Sequence, residues 1–156
     1  GALWSIQPFL ADEDANVYAT AEQREQQRLI AEGTARAIEM GLKYKVKLAL
    51  GTDILFSPKR TGSQGRQLAK FARWLGNAGV LRLLTSGNAD LMALSGPRNP
   101  YPGELGRIQA GAYADILVLD GNPLADISLI GDPERSMKLI MKDGQIHKNT
   151  LSGEQG

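Results

Sequence analysis

The pattern of apolar and polar residues divides the first part of the chain into a strand, a long helix and a second strand. Residues 2–9 are an apolar, partly aromatic run that predicts a short buried strand. Residues 20–44 place apolar side chains at spacings of three and four, and Thr20 followed by Gln23 predicts a capping box at the start. Residues 45–50 alternate as a strand does. This order predicts a βαβ unit with two parallel strands.

Helical spacing continues after the second strand. One helix is predicted from Ser63 to about residue 77, and an interrupted helical region from residue 80 to 94. The predicted core of the second region consists of Leu81, Leu84, Leu91 and Leu94. Residues 95–106 contain three prolines and three glycines, so they cannot form a regular element and mark the best internal boundary.

The last third of the chain has the pattern of a small sheet. Residues 114–119 predict a strand, and residues 137–142 and 145–148 predict a hairpin. The two strands of the hairpin are separated by Asp143-Gly144, a dipeptide that tolerates the positive φ values of a type I′ turn.

Charge and composition exclude several classes of partner. Eighteen Lys plus Arg face seventeen Asp plus Glu without long runs of one sign, so neither nucleic acid nor a membrane surface is expected as a partner. No apolar run approaches the roughly 20 residues of a membrane span, and the first residues do not resemble a signal peptide. The chain has no cysteine, which leaves cytoplasm and periplasm equally open.

The histidine count limits metal chemistry. The chain contains one histidine, His147, whereas catalytic zinc sites usually take two or more imidazole ligands. The chain cannot build such a site alone.

Four phrases give a resemblance to a known family. They are VKLALGTD at residues 46–53, LLTSGNADLMAL at 83–94, GRIQAGAYADILVLDGNPLADI at 106–127 and MKLIMKDGQIHKN at 137–149. In this order they resemble the C-terminal part of the amidohydrolase superfamily, and most of all its branch of imidazolonepropionase-like and Xaa-Pro dipeptidase-like metal-dependent hydrolases. The resemblance covers residues 2–149, nearly the whole chain.

The resemblance implies an α/β fold made of the end of a (β/α)₈ barrel and part of a small β-sandwich. Residues 2–9 would be barrel strand seven, and residues 46–51 strand eight. It divides the chain into barrel βα units at 1–100, sandwich strands at 101–150 and a frayed tail at 151–156. Asp53 would then lie just beyond a strand end, where barrel enzymes place their chemistry.

The resemblance also implies a role for Asp53 as a metal contact and general base. In such enzymes a divalent metal, zinc or another, activates a water molecule, and a carboxylate accepts its proton. Taken alone, Gly51-Thr52-Asp53 is more typical of a turn that ends a strand. The neighbouring phrases favour the catalytic interpretation.

Other family features are missing or altered. The family's histidine ligands and its bridging lysine or carboxylate have no counterpart here, so the isolated chain is expected to bind no metal and to be inactive. His147 is interpreted as a surface strand residue, and Asp115 and Asp120 as turn residues. Lys45 stands near a position where such proteins often have glycine, which makes the turn after the helix tight for a side chain.

Two functional hypotheses follow. In the first, the chain is the C-terminal fragment of an enzyme that hydrolyses amide or peptide-like C–N bonds of a small-molecule or dipeptide-like substrate. In the second, it is a non-catalytic assembly module whose exposed strand edges pair with another chain. Under either hypothesis the partner is the missing N-terminal part or a second copy of the chain.

Overall fold

A set of helices and a small antiparallel sheet make up the part of the chain that the computed structural model describes, residues 20–52 and 61–151. The helices are α1 (Ala21–Lys43), α2 (Gln64–Ala69), α3 (Ala72–Arg82), α4 (Asn88–Ala93) and α5 (Pro133–Ser136). A π-helical turn covers Leu83–Gly87, and 3₁₀ turns cover Gly96–Arg98 and Ile127–Gly131. The strands are β1 (Ile116–Leu119), β2 (Met137–Lys142) and β3 (Gln145–Asn149). The strand predicted at 2–9 lies outside the described residues.

Helix α1 begins as the sequence predicted. The Gln23 N–H donates to Thr20 Oγ1 at 3.1 Å, and the Thr20 N–H donates to Gln23 Oε1 at 3.1 Å. Each bond satisfies a backbone donor that the first turn of a helix leaves unpaired. The capping box is therefore confirmed.

The end of α1 is a Schellman motif with a lysine where glycine is usual. The Val46 N–H donates to the Gly41 carbonyl at 2.8 Å, and the Lys45 N–H donates to the Leu42 carbonyl at 3.2 Å. Lys45 adopts a φ of 55°, a left-handed conformation that is unfavourable for a residue with a Cβ. The tight turn expected at Lys45 is confirmed.

The helical region after residue 60 is broken more often than its apolar spacing predicts. Ser63 precedes α2, but its side chain makes no capping bond to the helix. Gly76, with a φ of 67°, kinks α3 close to the predicted helix end at 77. Leu81 and Leu84 pack against the core as predicted. The prediction for Leu94 is wrong, because its side chain, directly after the end of α4, is 80% exposed.

The three strands form one antiparallel sheet in the order β1-β2-β3. The hairpin is confirmed, and Asp143 and Gly144 at its turn have φ values of 48° and 75°. Asp115 supports this turn by accepting the Asp143 N–H at 2.7 Å and Lys142 Nζ at 3.1 Å. These two bonds, the backbone one first, lower the pKa of Asp115. Asp115 is therefore a turn residue, as predicted.

One core joins the helices to the sheet region. Its buried members are Ile38, Leu50, Phe71, Val80 and Ile127, of which Ile127 comes from the segment that precedes α5. Gly65 on α2 lies so close to that segment that a Cβ would be 1.9 Å from the Ile130 carbonyl oxygen. Close packing at this point fixes the position of α2 relative to the strands.

Segment 46–52, which follows α1, does not form the predicted strand with any other described residue. A strand needs a neighbour that accepts and donates ladder hydrogen bonds, and the partner predicted for this segment, residues 2–9, is not among the described residues. The βαβ unit thus stays a prediction. Within the described ranges, no helix is both long and apolar enough to cross a membrane.

Candidate functional site

The candidate site is the end of segment 46–52, which leads directly into Asp53. Ala49 and Leu50 are each only 6% exposed. Leu50 packs in the same cluster as Ile38, Phe71 and Val80. Burial of its side chain therefore fixes the segment three residues before Asp53, although no strand pairing is present to do so.

The side chain of Asn88 binds both backbone groups of Leu50. The Leu50 N–H donates to Asn88 Oδ1 at 3.0 Å, and Asn88 Nδ2 donates to the Leu50 carbonyl at 2.8 Å. In a hydrogen-bonded pair of an antiparallel sheet, each residue likewise donates one bond to the other and accepts one from it. One carboxamide thus replaces a strand neighbour at Leu50.

A second side chain lies beside Thr52. Thr52 Oγ1 and Gln64 Oε1, the latter on the first turn of α2, are 3.3 Å apart. Gln67, one turn later on α2, is 6% exposed, and its Oε1 has no hydrogen-bond partner within the described part of the chain. Helix α2 therefore places one polar side chain, that of Gln64, next to Thr52.

The predicted site residue itself, Asp53, lies outside the described residues. Its role as general base and metal contact stays a prediction. Among residues 20–52 and 61–151, no group of three or more His, Cys, Asp or Glu side chains could hold a metal ion. His147 is exposed on β3, and Asp120 pairs with Lys138 at 3.1 Å. The described side chains therefore do not fit a zinc site by themselves.

A groove of about 710 Å³ is lined in part by the first residues of the segment, Val46 to Ala49. Its walls are mostly apolar and come from Val46 to Ala49, from α3 and from α4; they include Leu48, Trp74, Leu75, Leu83 and Leu91. Neither Gly51 nor Thr52 lines it. Size alone would make this groove the first candidate for a binding site, yet within the described part of the segment its lining ends at Ala49, and residues 50–52 do not line it.

Helix α4 is itself held by the loop that follows residue 102. Arg107 donates to Asp90 at 2.8 Å, and this bond lowers the pKa of the Asp90 carboxyl group, with smaller contributions from the charges of Arg107 and Lys47. Gly106, with a φ of 69°, lies against the π-helical turn, where a Cβ would come within 2.5 Å of the Thr85 carbonyl carbon. The second and third family-like phrases are thus in contact.

Comparison with known proteins gives related sequences and related structures. No family model matches the chain. The chain is 28% identical to ochratoxinase of Aspergillus niger over 127 residues, which are 81% of this chain and 25% of that enzyme. A solved amidohydrolase structure matches with a TM-score of 0.74 and 28% identity over 96% of this chain and 35% of its own.

These comparisons support membership of the chain in the amidohydrolase superfamily. A solved prolidase in complex with N-methylphosphonate-L-proline has the same fold, with a TM-score of 0.74 and 24% identity over 95% of this chain and 35% of the prolidase. The chain spans about a quarter of ochratoxinase and about a third of these two solved structures. It therefore corresponds to one part of an amidohydrolase fold, a mixed helix and strand structure with a small three-stranded sheet.

Sequence reasoning identified this superfamily correctly but missed Asn88. The residue lies inside the phrase LLTSGNADLMAL, which predicted only a helix. An asparagine within a helical run was a usable signal, because its side chain competes for backbone groups and is unfavourable in a helix interior. That the bound backbone is 38 residues away could not be read from the local pattern.

Proposed function

We propose that this chain is the C-terminal portion of a longer metal-dependent amidohydrolase that hydrolyses amide or peptide-like C–N bonds, with Asp53 as general base. The observation that carries the proposal is the support of residues 50–52, where Asn88 holds Leu50 and Gln64 lies beside Thr52 immediately before Asp53. Catalytic groups need such rigid support. The relatives agree with this chemistry, because one is an amidohydrolase and one a prolidase.

The proposed chemistry for Asp53 is proton transfer. The carboxylate accepts a proton from the water molecule that attacks the carbonyl carbon, and it gives that proton to the amine nitrogen as the C–N bond breaks. The zinc or other divalent metal implied by the superfamily would activate water in the full-length enzyme. Since the described residues do not fit a metal site, the proposal takes the metal donors from elsewhere in the full-length protein and leaves the isolated chain inactive.

The proposed architecture places residues 2–9 and 46–51 as strands seven and eight of a (β/α)₈ barrel. It divides the chain into barrel units at 1–100, sandwich strands at 101–150 and a tail at 151–156. Among the described residues no strand pairs with segment 46–52, and this arrangement would supply the strands on both sides from which a barrel strand takes its ladder bonds. The likeness of the whole described fold to part of a solved amidohydrolase supports it as well.

The proposal is tested with the Asp53→Asn variant of the full-length protein. The substrates are a panel of N-acyl amino acids and dipeptides, with Xaa-Pro dipeptides included, and bound metal is measured in the same samples. Loss of the base predicts a fall in kcat of about 100-fold or more. Asp120→Asn is the matched control, because Asp120 is an exposed carboxylate that pairs with Lys138. An Asp53→Asn variant as active as the control would refute the assignment.

A second candidate function, an assembly module without catalysis, is favoured by the apolar surface of the described part. Leu117 and Ile146 on the sheet are each 55% exposed, and Leu94 beside the groove is 80% exposed. Such surfaces are covered in stable assemblies. Under this proposal the isolated chain forms a stable complex with a second copy or with the N-terminal part of the protein, and no metal is bound. A strictly monomeric chain by analytical ultracentrifugation contradicts it.

A further inference from the structure

We propose that Asn88 is a positioning residue that fixes the backbone of segment 46–52 and thereby supports the hydrolysis proposed for Asp53, the next residue in the sequence. This inference rests on the proposed function and adds to it a residue on a different element. It predicts that the carboxamide of Asn88 acts on the rate of hydrolysis through the backbone of Leu50, without touching the substrate.

The first support is the geometry of the contact. Both bonds are of ordinary length, 3.0 and 2.8 Å, and they lie in a partly buried environment. Two bonds from one planar group fix a direction as well as a distance, so Leu50 cannot rotate about the contact as it could about a single bond. Among the natural side chains, only a carboxamide both accepts and donates in this way without a change of charge.

The second support is the way Asn88 itself is held. It follows the π-helical turn Leu83–Gly87, and such turns change the direction in which the next side chains project. Thr85 Oγ1 donates to the Leu81 carbonyl at 2.8 Å, which satisfies a carbonyl in this irregular region. Arg107 then pairs with Asp90 two residues beyond Asn88. The carboxamide therefore lies on a helix that is itself held by hydrogen bonds and an ion pair.

The third support is the short path to the carboxylate. Asp53 follows Leu50 by three residues, which span at most about 10 Å. Thr52 lies beside Gln64 within that span. Because a misplacement of about 1 Å can reduce an enzymatic rate by about 100-fold, loss of the contact at Leu50 is expected to lower kcat.

The test compares Asn88→Ala and Asn88→Asp with Asn77→Ala in the full-length protein. Asn77 is a matched control, because its Nδ2 also holds backbone from a helix, that of Leu124 and Ala125 at 3.0 and 3.2 Å. Asn88→Ala is expected to lower kcat by about 10- to 100-fold while KM changes less than about threefold. Asn88→Asp keeps an acceptor for the Leu50 N–H and nearly the same volume. It is expected to fold, but it should also lower kcat, because it places a carboxylate oxygen where Asn88 Nδ2 donates to the Leu50 carbonyl.

Hydrogen exchange supplies a readout that a general loss of stability would not reproduce. The Leu50 amide should exchange faster in Asn88→Ala than in the wild type, whereas Asn77→Ala should leave it unchanged at matched stability. Bound metal should be equal in all variants. If both Asn88 variants match Asn77→Ala in kcat, or if Leu50 exchange does not change, the inference is wrong.

Asp53→Asn in the same series separates the two possible failures. An inactive Asp53→Asn together with fully active Asn88 variants overturns the role of Asn88 and leaves the proposed function intact. A fully active Asp53→Asn overturns the proposed base, and with it the effect that Asn88 is proposed to have on hydrolysis. In that case the exchange of Leu50 still decides whether Asn88 holds the segment.

Discussion

Segment 46–52 and strand β2 carry similar alternations of apolar and other residues, but they are held in the fold by different means. Strand β2 has a strand on each side, β1 and β3, and its backbone groups enter two antiparallel ladders. Segment 46–52 has no strand beside it among the described residues. Burial of Leu50 and the carboxamide of Asn88 hold it instead.

The difference shows that alternation of apolar and polar residues indicates only which face of a segment is buried. Whether the segment forms a strand depends on the strands beside it. One partner of β2, strand β3, is supplied by a two-residue turn, so this pairing is local. A parallel strand obtains its partner through a long crossover, and the partner predicted for segment 46–52, residues 2–9, is distant in sequence. Among the described residues, side-chain contacts and not a ladder hold this segment.

The largest expected loss of stability comes from truncating Phe71, which packs in the same cluster as Leu50 of segment 46–52. Phe71 is 1% exposed and packs in the cluster that contains Leu50, so Phe71→Ala should lower the free energy of unfolding by about 3–5 kcal/mol. Chemical denaturation measures this loss. Native-state hydrogen exchange should show protection falling more at Leu50 than at the ladder amides of β2, because the ladder does not depend on this contact.

Leu94→Ala is the control for the Phe71 variant. Leu94 is 80% exposed, and its truncation should change stability by no more than about 0.5 kcal/mol. A Phe71→Ala variant that loses protection equally at Leu50 and in β2 would show that the two regions are held by the same core, and the contrast between them would fail.

The same contrast explains how much of the fold could be predicted from the sequence. The capping box at Thr20 and the hairpin at Asp143-Gly144 depend on residues within three or four positions of each other, and both are confirmed. The exposure of Leu94 depends on what covers α4, which local spacing does not contain. Leu94 was therefore assigned wrongly to the core.

The candidate site could be predicted only in part, for the same reason. The carboxylate of Asp53 was found because it follows an alternating run and a glycine, which are local features. Asn88 was not found as its support, because the contact joins residues 38 positions apart and an asparagine within a helical run has many possible partners. Only the three-dimensional arrangement distinguishes among them.

A smaller loss of stability is expected at the contact between α2 and residues 127–131, where the helices meet the sheet region. A Cβ on Gly65 would lie 1.9 Å from the Ile130 carbonyl oxygen, so Gly65→Ala forces apart two pieces of backbone and should cost about 1–3 kcal/mol. Thermal unfolding measures the loss. Gly33→Ala in α1, where no described atom lies within 4 Å of the added Cβ, should instead stabilise the protein by about 0.5–1 kcal/mol. Equal effects of the two substitutions would mean that the contact of α2 with residues 127–131 does not hold the regions together.

The smallest expected change in stability comes from the turn that leads into segment 46–52, which differs from the hairpin turn after β2. The hairpin turn has glycine at Gly144, whereas the turn from α1 into segment 46–52 has Lys45 in the left-handed conformation. Lys45→Gly removes a conformational cost of about 1–2 kcal/mol and adds about 0.5–1 kcal/mol of chain entropy to the unfolded state. The variant should therefore be more stable by about 0.5–1 kcal/mol. Lys43→Gly, two residues earlier and inside the helix, should be less stable by a similar amount, because its backbone gains nothing from glycine there. Denaturant midpoints for the two variants show whether each substitution raises or lowers the stability. A loss of stability in Lys45→Gly would mean that the Lys45 side chain, and not only its backbone, helps to direct the chain into segment 46–52.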